Sequence, residues 1–334
     1  MELNLLSVWE CWWLAPLAFA LDMWLGDPKL PWPHPVRLVG RMLDALEPFA
    51  RRLDGRGLGR MGGAACLVLC VLGTGGCALL LVQIPFAGPV IATYLSWAGL
   101  AQGSLLAAGR SCARTLASGD LEEGRVALSG LVSRDVSALD GPMLRKTLAD
   151  TLSENYTDAF LAPYLWLLVA GPAGLWCYKA VSTADSMWGY LTPAWRDVGR
   201  AAARTDDVLA FLPARLGALA LRATDALSRA IPGTRPWSGK WPGIGRIAKD
   251  AAGMPSPNSG WSMAACAWLC DAPMGGPSVY FGDLVEKPWL GPEGSPERWD
   301  QRRLLALLSL LFHGGMCGAA MTWLACMLLK MAAG

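Results

Sequence analysis

The sequence predicts an all-α, polytopic integral membrane protein, with about four to five transmembrane or re-entrant helices joined by cytoplasmic helical loops. Three observations predict it. Hydrophobic residues make up 53% of the 334 positions while charged residues make up only 17%, against about 25% in an ordinary soluble domain. The mean hydropathy is +0.33. Seventeen tryptophans outnumber seven phenylalanines, a bias that membrane–water interfaces favour. Disorder is excluded, because disordered chains are polar and highly charged. A net charge of +2 gives no electrostatic footprint for nucleic acid.

The first span is expected at 8–25, apolar apart from Glu10 and Asp22. Its length covers roughly 27 Å of helix, close to the hydrocarbon thickness. Ala18-Phe19-Ala20 imitates a signal-peptide cleavage site, but no Lys or Arg precedes the run, so the basic n-region is missing and an uncleaved span is expected. Residues 61–108 are uncharged and broken near Pro85, Gly88 and Pro89, which predicts a hairpin of spans at 61–83 and 87–108. A further span is expected at 159–178, interrupted by Gly171-Pro172-Ala173-Gly174, and a last one at 304–329. The stretches 208–221 and 261–275 are short for spanning and suit interfacial or re-entrant helices. The whole chain reads as a single integral-membrane domain, with a polar and interfacial region at 179–303.

Orientation follows from the basic loops. Seven Lys or Arg lie in 26–60 and six in 109–158, whereas the connector 84–89 and the first ten residues have none. The positive-inside rule places both loops in the cytoplasm and the N-terminus outside. A full crossing at 159–178 would leave Arg196, Arg200 and Arg204 outside; a hairpin returning at the Gly-Pro-Ala-Gly would keep them inside. The ten cysteines show no metal-ligand spacing and read as small buried hydrophobes.

Ionisable residues beside or within a membrane are costly unless partnered or hydrated, and they gather in five segments. Asp22 and Asp27 leave the first span, and Pro35 starts a helix carrying Arg37 and Arg41 on one face. That pair suits an anionic ligand, or lipid headgroups. Asp140 precedes Gly141-Pro142 as a helix start, followed by a polar stripe of Thr147, Thr151, Glu154 and Asp158 opposite Leu144, Leu148 and Leu152. Two carboxylates on one face invite a shared Mg²⁺, or form a solvated face with Thr151 and Glu154 as a capping box. Lys179, Ser182, Asp185 and Ser186 follow; a simple Lys–Asp pair is the plain alternative. Asp206 and Asp207 point about 100° apart on a helix, with Arg215 beyond. The turns around Ser256-Pro257-Asn258 and Gly275 to Gly282 expose backbone N–H groups that can cradle phosphate or merely connect elements. No P-loop, H-E-x-x-H, G-x-S-x-G or G-x-G-x-x-G is present, since Gly239-Lys240-Trp241 lacks the P-loop spacing and hydroxyl.

In order, the strings DMWLGDP…PHPVRLVGR, SRDVSALD, SENYTDAFLAPYLW, YKAVSTADSMWGY, RTDDVLAFLPARL, SPNSG and GGPSVYFG resemble the adenosylcobinamide-phosphate synthase family of cobalamin (vitamin B12) biosynthesis. They cover about residues 20–282. One departure is Gly253 and Met254, where the family usually has a basic residue and a histidine.

The resemblance implies an inner-membrane, multi-pass ligase with its active site on the cytoplasmic side. It would use ATP and Mg²⁺ to join adenosylcobyric acid to (R)-1-amino-2-propanol phosphate, or to ethanolamine phosphate. It implies catalytic roles for Glu154, Asp158, Asp185 and Lys179, and metal binding by Glu154, Asp158, Asp206 and Asp207. Substrate or ATP contacts would come from Asp27, His34, Arg37, Arg41, Arg134, Asp135, Asn155, Ser186, Arg215, Ser256 and Asn258. Residues 208–221 with Trp237, Trp241 and Trp261 would line a cleft for the corrinoid, and interface anchoring explains those tryptophans as well. Lipid and the small substrates are the expected partners, with no nucleic acid and with a homo-oligomer allowed. A transporter using intramembrane carboxylates is the rival, as is a prenyl- or phospho-transferase, although Asp206-Asp207 lacks the D-D-x-x-D continuation.

Overall fold

The computed structural model describes residues 12–190, 192–193, 195–231, 233–280 and 282–333. It is helical throughout, with two short antiparallel strand pairs. Four helical runs are long and apolar enough to cross a membrane: Gly59–Leu81, Gly88–Ser118, Gly141–Trp188 and Gln301–Ala332. The chain divides into two compact units.

The first unit takes the described residues up to Ala101, then Ala162–Ala210 and the chain from Thr322. Its helices are α1 (Leu14–Leu25), α2 (Pro35–Asp54), α3 (Gly59–Leu81) and α4 (Gly88–Ala98). Of the expected first span the described part is α1, an apolar helix of 12 residues that is too short by itself to cross a membrane, and residues 8–11 lie outside the described ones. Helix α2 starts at Pro35 as its sequence predicts, with His34 as its cap: the imidazole Nδ1 accepts from the Val36 N–H at 3.3 Å. This polar segment is laid antiparallel along α3. Met42 meets Gly73, Cys66 Sγ donates to the Leu46 carbonyl at 3.7 Å, and Leu53 sits against Gly62.

The second unit begins with α5 (Gln102–Ser118), α6 (Leu121–Ser129) and α7 (Gly141–Asn155). Asp120 caps α6 and Asp140 caps α7, the latter accepting from Met143 N–H at 2.9 Å. Helix α7 runs into a π-helical turn at Tyr156–Leu161. The buried Tyr156 hydroxyl there donates to the Gly314 carbonyl at 2.9 Å.

Helix α8 (Ala162–Trp188) returns the chain to the first unit. It breaks at Ala170 and Gly171, where φ is +63° at the glycine, a conformation open to glycine immediately before Pro172, which has no N–H to continue the ladder. The interruption foreseen at Gly-Pro-Ala-Gly therefore separates two helical segments: a Cβ on Gly174 would lie 3.0 Å from the Trp166 carbonyl oxygen, whereas an unbroken helix would hold residues eight apart at about 12 Å. Small residues let α8 and its successor α9 (Arg200–Leu209) approach α3 closely. A Cβ on Gly63 would lie 1.9 Å from the Val198 carbonyl oxygen, and one on Gly75 2.3 Å from Cys177 Sγ.

The second unit resumes with α10 (Phe211–Ala230), α11 (Ile244–Ala251) and α12 (Ser259–Cys270). Strands β1 (Met274–Gly275) and β4 (Trp289–Leu290) then pair, as do β2 (Ser278–Tyr280) and β3 (Asp283–Val285), before α13 (Gln301–Ala333). Helix α12, within the stretch expected to be interfacial or re-entrant, is buried on nearly every face; it has no polar side to lay on an interface, and its burial fits a core or re-entrant helix. All nine described cysteines are free thiols, as their apolar settings led one to expect.

Trp237 also departs from expectation. It is 2% exposed and lines no cleft: its indole N–H donates to Asp225 Oδ1 at 2.9 Å. Arg235 and Arg229 complete the ring around that carboxylate at 2.8 and 2.9 Å. Burial pushes the Asp225 carboxyl up, and the three donors outweigh it and hold the group below the usual carboxylate range. A depressed value stabilises the fold above the unfolded carboxylate's value near ~3.9 and is lost as pH falls through the folded one. Asp225→Asn should cost about 2 kcal/mol at pH 7. Thermal unfolding in detergent should show the gap between variant and wild type narrowing as pH falls below ~3.9 and through the depressed folded value.

Candidate functional site

Charged residues gather within each unit. In the first unit, Asp27, His34 and Arg37 meet Lys179 of α8, and Lys179 also faces Asp206, which has Asp185 and Asp207 beside it. His34 Nδ1 is spent on its cap, so Nε2 carries the proton, and among the described residues that buried nitrogen makes no well-aligned hydrogen bond, the Ala98 carbonyl being the acceptor within its reach. Burial lowers the His34 pKa; Lys179 and Arg37 add to this, against Asp27 and the Ala98 carbonyl. A neutral imidazole presenting a donor suits an anionic oxygen.

Asp206 is the opposite case. Burial, then Asp185 and Asp207, push its carboxyl up to about 7, with Lys179 pulling the other way. Its Oδ1 is buried without a hydrogen-bond donor. Such an oxygen fits Mg²⁺, which is held through one or two carboxylates together with phosphate oxygens. Arg41 lies exposed on α2, and Ser186 is exposed with its hydroxyl donating to the Ser182 carbonyl at 2.9 Å. Close by, Trp32, Leu38, Met42, Leu81, Tyr94 and Trp176 line an apolar cavity of about 340 Å³.

In the second unit the centre is Asp150, a residue the sequence reading passed over. It is fully buried and accepts from Arg134 Nη1 at 2.8 Å, from the Gly275 N–H at 3.0 Å and, as an ion pair, from Lys146 Nζ at 3.0 Å. Arg134 reaches Ser278 Oγ at 3.5 Å and lies over the Tyr280 ring. Lys287 donates to the Tyr280 hydroxyl at 2.7 Å. Burial works against the Arg134 charge, but Asp150, Tyr280 and Glu154 outweigh it and raise its pKa. The signal that was available is the i, i+4 series Lys146, Asp150, Glu154 on α7.

Other expected site residues have local duties. Asp135 accepts from the Ser137 N–H at 2.9 Å, which holds its exposed carboxyl below the usual range. Asn155 donates to the Thr151 carbonyl at 2.9 Å. The π-helical turn that holds Asp158 begins right after Glu154 and Asn155, so the regular α-helical stacking assumed for the two carboxylates does not continue to Asp158. Arg215, Ser256 and Asn258 do converge. Arg215 donates to Asn258 Oδ1 at 2.7 Å and to the Pro257 carbonyl at 3.2 Å, between the rings of Phe211 and Trp261. Ser256 Oγ accepts from the Asn258 N–H at 3.3 Å. Trp261 therefore packs on a guanidinium that pins the Ser-Pro-Asn turn to α10. Among the described residues no three His, Cys, Asp or Glu side chains form a metal site.

Fold and site together define a polytopic helical membrane protein with acidic and cationic side chains gathered in each of its two units. The model of the CobD/CbiB protein family matches residues 15–308, and the chain belongs to that family. It is 36% identical to "Cobalamin biosynthesis protein CobD" of Photorhabdus laumondii over 305 residues, covering 89% of each chain. It is 37% identical to "Cobalamin biosynthesis protein CbiB" of Salmonella typhimurium over 281 residues, covering 82% of this chain and 85% of the relative. No solved structure matches it.

Proposed function

We propose that the chain works in cobalamin biosynthesis as an ATP-dependent, ADP-forming ligase in the inner membrane, with its site on the cytoplasmic side. It would join a carboxylate of adenosylcobyric acid to the amine of (R)-1-amino-2-propanol phosphate or ethanolamine phosphate. The supporting observation is Asp206: a buried carboxylate with one unpartnered oxygen and a pKa near 7, set with Lys179 and the neutral donor His34.

An oxide ion cannot leave a carboxylate, so the corrinoid oxygen first attacks the γ-phosphorus of ATP and ADP departs. The amine nitrogen then attacks the acyl carbon, and inorganic phosphate leaves with the oxygen. The amine must shed a proton, and Asp206 is tuned to take it near neutrality. His34 Nε2–H and Lys179 would hold phosphate oxygens, with Arg37 adding charge from α2. Asp206 with Asp185 or Asp207 would hold Mg²⁺, which would neutralise charge on the transferring phosphoryl group. Asp206 serves metal and proton alternately in this reading.

The test is mass spectrometry of detergent-purified protein incubated with adenosylcobyric acid, the aminoalcohol phosphate, ATP and Mg²⁺. The amide product and stoichiometric ADP are expected. Unchanged substrates, with uptake of corrinoid into proteoliposomes instead, would replace the ligase by a transporter.

A further inference from the structure

The ligase reading brings two phosphorylated reactants and leaves open which cluster receives which. We propose that the Arg134 pocket of the second unit is the seat of the small phosphomonoester, its dianion held by Arg134 and supported by Lys146 and Lys287. The inference rests on the ligase reading for the identity of that reactant, the aminoalcohol phosphate.

Size is the first argument. The cavity walled by Arg134, Thr147, Pro277, Ser278 and Leu284 measures about 110 Å³. At ~30 Å³ per liquid water, it accepts a phosphate on a short chain and excludes a nucleoside triphosphate.

Charge is the second. Asp150 is the one carboxylate that Arg134 and Lys146 both contact directly, and Lys287 adds a third cation within electrostatic reach of Lys146. Glu154 also acts on Arg134 and Asp135 stands on the cavity wall, so three positive groups face three negative ones, and an entering anion meets Arg134 because it alone of the three cations lines the cavity. The Lys146 side chain is fully buried, and its Nζ makes no well-aligned hydrogen bond.

Donor supply is the third. Arg134 spends Nη1 on Asp150 and Ser278, and among the described residues no acceptor is bonded to its Nε or Nη2. A guanidinium fork of this kind matches two phosphate oxygens. The Ser278 hydroxyl stands on the same wall. Asp135 also lines the cavity and stays ionised, its carboxylate accepting from the Ser137 N–H at 2.9 Å.

The experiment is calorimetric titration of the full-length protein in detergent, without Mg²⁺, using ethanolamine phosphate, inorganic phosphate and ATP as separate probes. Ser278→Asp places a negative charge on the wall of the pocket at a half-buried position, and Arg134→Gln removes the fork; unfolding midpoints near wild type certify both. Ethanolamine phosphate should bind the wild type in competition with inorganic phosphate. Either variant should weaken it about tenfold or more, while ATP affinity stays unchanged. Equal affinity in wild type and both variants would overturn the proposal, as would a parallel loss for ATP, which would seat the nucleotide here. Binding is read without turnover. A missing amide product would therefore sink the ligase reading, while loss or retention of phosphomonoester binding judges this pocket separately.

Discussion

Asp206→Asn is expected to lower amide formation by about 10²-fold or more, the scale on which enzymes lose a group that stabilises developing charge. The wild-type rate at limiting Mg²⁺ should rise with pH through about 7, because the carboxyl must lose its proton before it can hold a cation. The sign follows from the raised value: below it the proton occupies the oxygen, above it the oxygen is available. The asparagine variant keeps the shape and loses the titration, so its residual rate should be flat over that interval. A pH–rate series at two Mg²⁺ concentrations decides the matter. A wild-type profile without a rise near neutrality, or an asparagine variant of normal activity, would remove Asp206 from the mechanism.

The second large effect concerns stability. Asp150→Ala leaves Arg134 and Lys146 facing one another without their shared carboxylate and strips the Gly275 N–H of its acceptor. Breaking a buried pair from one side costs about 3–5 kcal/mol, enough to deplete folded protein in a marginally stable domain. Asp150→Asn retains acceptors for Gly275 and Arg134 and should recover part of the loss. Thermal unfolding in detergent ranks the three proteins. Indistinguishable midpoints for wild type and alanine would show that the cluster carries little of the unit's stability.

Much of the framework was legible in the sequence because its signals are local. Pro35 after a polar turn opens α2, Asp140 before Gly-Pro opens α7, and Gly171-Pro172 interrupts α8; each depends on a residue's own backbone chemistry. The hairpin of spans was legible because hydropathy is summed along the chain. What escaped depends on partners far away in sequence. Nothing near Trp237 announces Asp225, and nothing in 261–275 tells a core helix from an interfacial one. Lys146 and Asp150 were visible as an i, i+4 pair, yet only Arg134 and the Gly275 turn, brought in from elsewhere, turn that pair into a buried centre. The widened turn at Tyr156–Leu161 is likewise set by packing, and it altered the relation assumed between Glu154 and Asp158. Within the first unit, Asp27, His34, Lys179, Asp185 and Asp206 do belong to one electrostatic neighbourhood, as their membership of consecutive polar segments implied.

The glycines of α3 carry a consequence for engineering this protein. Oil-like character alone would let a run of leucines take the place of Gly59–Leu81, and such a substitute would insert into lipid at least as readily. It would still be the wrong part, since the bare backbone at Gly63 and Gly75 is where neighbouring chain and thiol come to rest. That helix works as a lock face rather than as an anchor, and any redesign scored on greasiness alone will discard the features that make it fit.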